Sequence, residues 1–128
     1  MTIKEVSEKY QLSKDTLRYY EKEGLIGPVP KGKNGQRDYQ EENERQIEFV
    51  KCMRNVHIPI EALKKYMQLL SKGDQTLKER REILETQLHV IESQLTELQK
   101  ARQKLEYKIE LYLSLIHISE PTRPISIS

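Results

Sequence analysis

A short stretch near the N-terminus places cationic and hydroxyl side chains at helical spacing. Lys14, Thr16, Arg18 and Tyr19 lie within six consecutive residues. A guanidinium can bind a phosphate or the edge of a guanine, and a phenol can donate to a phosphate. On the N-terminal part of a helix, such side chains can enter the major groove of duplex DNA. We predict that these residues contact DNA; the alternative is an ordinary helical hairpin with solvated charges.

A second basic segment follows, which we call the wing and define as residues 31–39. Two prolines just before it exclude a continuing helix, and Asn34-Gly35 is typical of a tight turn between extended arms. Lys33 and Arg37 lie beside that turn. A basic hairpin after a helical pair can lie along a DNA backbone or in a minor groove. A solvated loop without a function is the alternative interpretation.

Capping residues predict the helices that hold these side chains. Thr2 and Glu5 have the spacing of a capping box, and Ser13 can cap a second helix that ends at Gly24. Two short helices across such a tight turn form a helix-turn-helix. Further helices are predicted over residues 41–55 and from Pro59 to about residue 72, and they complete a DNA-binding domain over residues 1–72.

Three sequence motifs resemble the N-terminal signature of MerR-type transcriptional regulators, and the resemblance covers residues 1 to about 112. The motifs are Leu17-Arg18-Tyr19-Tyr20-Glu21, Gly24-Leu25-Ile26 and Arg37-Asp38-Tyr39. The resemblance implies a mainly α fold, in which a winged helix-turn-helix precedes a long antiparallel dimerisation helix. It also implies a homodimer that binds a pseudo-palindromic operator in double-stranded promoter DNA, distorts that DNA, and acts on RNA polymerase. Carried over by position, the DNA-binding residues are Arg18, Tyr19, Arg37 and Tyr39, with Lys14, Thr16 and Lys33 in support.

Cys52 has two possible roles. A lone cysteine on an apolar helix face is usually a small buried hydrophobe. Lys51 and Arg54 lie close in sequence, and a nearby cation favours the reactive thiolate when the sulfur is exposed. Residues 49–55 resemble the MerR subgroup that regulates aldehyde and alcohol detoxification, in which a cysteine at this place is proposed to react with electrophiles. Under that resemblance Cys52 would sense an effector in a stress response.

The hydrophobic period changes beyond Gln75. Apolar residues then recur at alternating steps of four and three, with Arg102 the one polar residue in the series. This heptad pattern predicts a coiled-coil helix over residues 75–113, because an N-terminal domain of about 70 residues cannot bury so long a stripe. A helix folded back on its own domain is the alternative. The predicted dimerisation residues are Leu84, Leu88, Ile91, Leu95, Leu98, Leu105, Ile109 and Tyr112.

Residues 114–128 read differently from the rest of the chain. Pro121 and Pro124 exclude a continuing helix, and the last four residues have no heptad partner. We interpret this stretch as a non-native or disordered tail; a short effector-binding segment is the alternative.

Composition narrows the class of protein. The chain has 128 residues, a single cysteine and a net charge of +2, and residues 1–72 carry 14 Lys and Arg against 11 Asp and Glu. No apolar stretch suits a signal peptide or a membrane span, so we expect a cytoplasmic protein without membrane contact. His57, His89 and His117 fall in different segments, so we predict neither an enzyme, nor a metal site, nor a cofactor. A coiled-coil adaptor without specific DNA binding remains the alternative function.

Overall fold

The computed structural model describes residues 1–119, and its regular elements are helices. Within those residues, extended pairing is limited to the isolated bridge between Lys31 and Arg37. A single turn of 3-10 helix, Asp74–Thr76, precedes the last helix. No helix in this part of the chain has the length and apolarity needed to cross a membrane. The helices are α1 (Ile3–Tyr10), α2 (Lys14–Lys22), α3 (Glu41–Asn55), α4 (Ile60–Ser71) and α5 (Leu77–Ser119).

The predicted caps of the first two helices are confirmed. The hydroxyl of Thr2 accepts from the amide of Glu5 at 3.2 Å, and the Glu5 carboxylate accepts from the amide of Thr2 at 2.9 Å. Ser13 Oγ accepts from the amide of Thr16 at 3.0 Å. Gly24 follows α2 with a φ of +72°, a conformation that glycine adopts without strain. These local interactions set both ends of the helix-turn-helix.

A small core joins α1 and α2 to the helices that follow. Leu17 is fully buried and Tyr20 is nearly so, and both lie on the inner face of α2. Removing such apolar side chains from water is the main favourable term that holds short helices together. The largest fully buried side chains are Leu17, Leu25, Ile47, Val6 and Val50.

The two apolar faces of α3 are covered to different extents. Ile47 and Val50 are buried, whereas Cys52 and Val56 on the other face are exposed. On that second face Phe49 contacts Tyr66 of α4 with ring centroids 5.8 Å apart, so the face is covered in part and Cys52 is not the buried hydrophobe of the first interpretation. Helix projection identifies apolar faces, but it does not say which face another element covers.

The long helix α5 begins at Leu77 and continues to Ser119, beyond residue 113, where the sequence analysis ended it. The predicted tail was residues 114–128; its residues 114–119 continue α5 instead, and residues 120–128 lie outside the described residues. The chain divides into two compact units, of which the first, Met1–Glu85, includes the start of α5. In the second unit the predicted dimerisation residues stay largely uncovered: Leu95 is 52% exposed and Leu98 is 67% exposed.

Glu44 connects the start of α3 to the end of α1. Its Oε1 atom accepts from Lys9 Nζ at 2.8 Å and from the Tyr10 hydroxyl at 2.9 Å. The hydrogen bond from Lys9 lowers the pKa of Glu44, although partial burial opposes that shift. Lys51 adds a second connection, because its Nζ donates to the carbonyl of Tyr10.

We expect Glu44→Gln to lower the free energy of unfolding by about 1 kcal/mol near neutral pH, since an amide replaces a charge-assisted acceptor and the exposed Lys9 limits the effect. The folded-state pKa of Glu44 lies below its ordinary value, so this stabilisation is present above the ordinary pKa and is lost as the pH falls through the folded value. Denaturant unfolding at about pH 7 and about pH 3 measures the difference.

The control for this experiment is Glu48→Gln, which removes one charge from an exposed position of the same helix. We expect the control to leave the free energy of unfolding almost unchanged at both pH values. A wild-type advantage over Glu44→Gln of equal size at the two pH values would contradict the assigned ion pair.

Candidate nucleic-acid interface

A groove of about 980 Å³ lies between the start of α1, helix α2 and the wing. Backbone and side chains of all three segments line it, and we call it the basic groove. Clustered cations on one surface are the electrostatic feature that a phosphate backbone recognises. The charged residues that line the groove are the cations Lys4, Arg18, Lys22, Lys31 and Arg37 and a carboxylate, Glu21.

Arg18 lies in the basic groove on α2, as the sequence analysis expected of a DNA-contacting residue. Its side chain is 62% exposed, and Nη1 is 3.2 Å from an oxygen of Asp15, which is itself 96% exposed. Such surface ion pairs contribute little free energy, so the guanidinium can exchange this partner for another anion. Tyr19 is 40% exposed and adjacent in sequence, but it does not line the groove.

The wing forms the predicted hairpin turn. The amide of Gly35 donates to the carbonyl of Gly32 at 3.0 Å, and the amide of Gly32 donates to the carbonyl of Gln36 at 2.7 Å. Gly35 has a φ of +74°, which explains the glycine after Asn34. Lys33 is exposed within this turn but does not line the basic groove.

Arg37 is attached to α2 through Glu21. Its Nε donates to Glu21 Oε1 at 3.0 Å, and the amide of Val29 approaches Glu21 Oε2 at 3.4 Å. The Arg37 side chain is 40% exposed, whereas that of Glu21 is 19% exposed. The wing and α2 therefore share one carboxylate at the floor of the basic groove.

Tyr39 is 2% exposed, and its hydroxyl has no hydrogen-bond partner within the described residues. Burial, together with the nearby carboxylate of Glu21, raises the pKa of Tyr39, so the phenol keeps its proton. The ring belongs to the core beneath the basic groove. Tyr39 lines the basic groove, but its hydroxyl is covered by protein, and its role as a DNA contact stays a prediction.

The structure thus brings Arg18 and Arg37 together and leaves other predicted residues outside the groove lining. Lys14 is exposed at the first position of α2, and Thr16 directs its hydroxyl to Ser13 Oγ at 2.8 Å. Sequence reasoning did not select Lys4, Lys22 or Lys31 as DNA contacts. The sequence could have indicated Lys22, because it lies four residues after Arg18 and thus on the same face of α2. Lys4 lies on a different helix, and only the fold brings it to the groove.

The surroundings of Cys52 differ from those that the sequence suggests. Its thiol is exposed. Lys51 donates to the carbonyl of Tyr10, and Arg54 donates to the carbonyl of Ile58 at 2.7 Å. Both cations are therefore engaged by backbone carbonyls. Among the residues that the structure describes, no cluster of His, Cys, Asp and Glu is able to hold a metal ion.

Comparisons with known families agree with this architecture. Residues 1–70 match the family described as "MerR HTH family regulatory protein". Residues 44–107 match the family described as "MerR, DNA binding". The two matches together cover the helix-turn-helix, the wing and most of α5.

Two curated relatives are regulators. The chain is 49% identical over 84 residues to the HTH-type transcriptional regulator AdhR of Bacillus subtilis, a match that spans 66% of this chain and 60% of AdhR. It is 30% identical over 111 residues to an HTH-type transcriptional regulator of Haemophilus influenzae, with 87% of this chain and 82% of that protein covered. AdhR supports the resemblance to the aldehyde and alcohol subgroup.

Solved structures extend the comparison to the fold. A MerR family transcriptional regulator from Listeria monocytogenes superposes with a TM-score of 0.90 at 39% identity, covering 94% of this chain and 92% of that one. HiNmlR, a MerR family regulator lacking the sensor domain and bound to promoter DNA, superposes with a TM-score of 0.79 at 29% identity, covering 88% and 90%. The predicted winged helix-turn-helix fold is confirmed.

We expect Tyr39→Phe to keep or slightly raise the free energy of unfolding, because it removes a buried hydroxyl that has no partner. Duplex DNA affinity should stay within about twofold of wild type if Tyr39 serves only the core. Denaturant unfolding and fluorescence anisotropy with labelled duplex measure the two quantities. A large loss of affinity with an intact fold would support Tyr39 as a DNA contact.

Proposed function

This chain belongs to the MerR family of helix-turn-helix regulatory proteins, and we propose that it binds a pseudo-palindromic promoter operator as a homodimer and distorts that DNA. The family consists of transcriptional regulators rather than enzymes. One observation carries the proposal: five cations from α1, α2 and the wing converge on the basic groove. We place this activity in the cytoplasm, with RNA polymerase at the promoter as a further partner.

Helix α2 and the wing are suited to different parts of a duplex. The exposed N-terminal part of α2, with Lys14 and Arg18, has the charge and length of a reader of the major groove. The wing offers Lys33 and Arg37 to the adjacent backbone. Phosphate contacts fix the position of a protein on DNA, and base contacts supply sequence information. We propose that DNA is contacted by Lys14, Thr16, Arg18, Tyr19, Lys33 and Arg37, with Lys4, Lys22 and Lys31 adding positive charge.

Helix α5 supplies the reason to propose a homodimer. Its heptad residues are apolar and largely exposed in the single chain; Leu105, for example, is 65% exposed. Covering each such residue contributes about 1.5–3 kcal/mol. A second copy presents the same heptad, and an antiparallel pairing would place two copies of α2 at a fixed spacing. The proposed seam is Leu84, Leu88, Ile91, Leu95, Leu98, Leu105, Ile109 and Tyr112.

A coiled-coil adaptor is the competing function, because α5 alone would serve it. An adaptor has no use for a groove lined by cations from three separate segments. Such a surface costs electrostatic free energy unless an anionic partner neutralises it. The basic groove therefore favours the regulator over the adaptor.

We expect Arg18→Ala to abolish the footprint on the promoter beside its own gene while the homodimer persists. Losing one phosphate or base contact of this kind costs about 1–3 kcal/mol and reduces the salt dependence of binding. DNase footprinting and anisotropy at several salt concentrations measure binding, and sedimentation equilibrium measures the dimer.

Arg45→Ala is the matched control for Arg18→Ala. It removes the same charge from α3, where Arg45 pairs with Glu42 at 2.7 Å and does not line the basic groove. Unchanged affinity of Arg18→Ala, or salt-independent binding by the wild type, would rule out the proposed interface.

We further propose that Cys52 senses electrophiles such as aldehydes. Its exposure supports this role, and so does the position of its helix. Phe49, one turn earlier on α3, contacts Tyr66 of α4 with ring centroids 5.8 Å apart. Addition of the thiol to an aldehyde forms a carbon–sulfur bond and moves the thiol proton to the carbonyl oxygen. The resulting bulk on α3 would change its packing against α4 without touching DNA.

We expect Cys52→Ser to bind the promoter like the wild type and to lose the response to an added aldehyde. Serine keeps the size of the side chain, but its hydroxyl is a far weaker nucleophile than a thiolate. Footprinting with and without the aldehyde measures the response, and Cys52→Ala controls for the serine hydroxyl. A full response in both variants would exclude the thiol as the sensor.

A further inference from the structure

Glu21 is an unexpected residue in the basic groove. It is the one carboxylate among the described residues that line this cavity, and its side chain is only 19% exposed. A negative charge facing DNA phosphates should repel them. Favourable contacts of Glu21 within the protein must therefore outweigh this repulsion.

The carboxylate of Glu21 contacts both ends of the segment that carries the wing. Its Oε1 atom accepts from Arg37 Nε at 3.0 Å, and its Oε2 atom faces the amide of Val29 at 3.4 Å. Val29 precedes the first arm of the wing and is 5% exposed, and Arg37 ends the isolated bridge with Lys31. One side chain of α2 thus holds the base of the wing from two sides.

The contact with Glu21 also restricts the Arg37 guanidinium. Its Nε donates to the Glu21 carboxylate, and Nη1 and Nη2 take no part in that hydrogen bond. Because the guanidinium is planar and its donors form a fixed fork, holding Nε fixes the plane of the remaining donors. Nη1 and Nη2 together can bind a phosphate end-on in a bidentate manner.

We propose that Glu21 is a positioning residue for DNA binding, because it fixes Arg37 and the wing against α2 so that both elements reach one DNA backbone together. The inference rests on the proposed function. Glu21 acts through Arg37 and does not itself touch DNA. Preorganised donors lose less conformational freedom on binding, which offsets the repulsion between the Glu21 carboxylate and the phosphates.

The direction in which Glu21→Gln changes DNA affinity distinguishes a positioning role from a purely electrostatic one. If Glu21 were only a solvated acid, Glu21→Gln would remove repulsion and tighten binding. If it positions Arg37, Glu21→Gln should weaken binding by about fivefold, against about tenfold for Arg37→Ala. The affinity of the full chain for a labelled random-sequence duplex of about 30 base pairs is measured by fluorescence anisotropy.

A double-mutant cycle tests whether the effect passes through Arg37. In the Arg37→Ala background, Glu21→Gln should no longer weaken binding. Glu48→Gln is the control, since it removes an equal charge from an exposed position of α3 outside the basic groove and should leave binding unchanged or slightly tighter. Thermal unfolding followed by circular dichroism verifies that each variant is folded, and Glu21→Asp tests rescue by a shorter carboxylate.

Three results would overturn the inference: tighter binding by Glu21→Gln, equal binding, or a loss of the same size in the Arg37→Ala background. Failure of the wild type to bind the duplex at all would instead overturn the proposed function. The two proposals therefore fail by different measurements.

Discussion

Electrostatic repulsion among the cations of the basic groove constrains the whole N-terminal unit. Helix α1, helix α2 and the wing each contribute positive charge to one surface. Like charges on one surface repel one another, and an anion that binds there removes this cost. Buried apolar side chains of these segments, among them Leu17 and Tyr39, belong to the core that stabilises the unit. Glu21 adds one compensating charge, and the remaining excess is available to a polyanionic ligand.

Local chemistry made much of this fold predictable. The capping box of Thr2 and Glu5, the cap at Ser13 and the glycine after α2 each act over a few residues, so the sequence contains all the information that they need. The bounds of α3 follow from acidic residues at its start and from the proline before α4. The hairpin turn of the wing is similarly local.

The composition of the site was less predictable, because it depends on contacts between distant residues. Glu21 and Arg37 meet across 16 positions, and Lys4 joins them from another helix. Tyr39 follows a basic segment in sequence, yet its ring lies in the core. Cys52 is exposed, although Phe49 on the same apolar face of α3 contacts Tyr66 of α4. A periodic pattern identifies such faces, but the fold decides which of them water reaches.

The apolar stripe of α5 has a consequence for synthesis in the cell. The compact unit Met1–Glu85 precedes most of that stripe in the chain, and domains fold in order as they leave the ribosome. Each new molecule then carries exposed leucines, such as Leu98, which in the proposed homodimer a second copy would cover. Exposed apolar surface attracts chaperones and proteases. For the proposed homodimer, the dimer concentration would rise with the square of the chain concentration at low expression levels. Monomers would then be the form that is degraded.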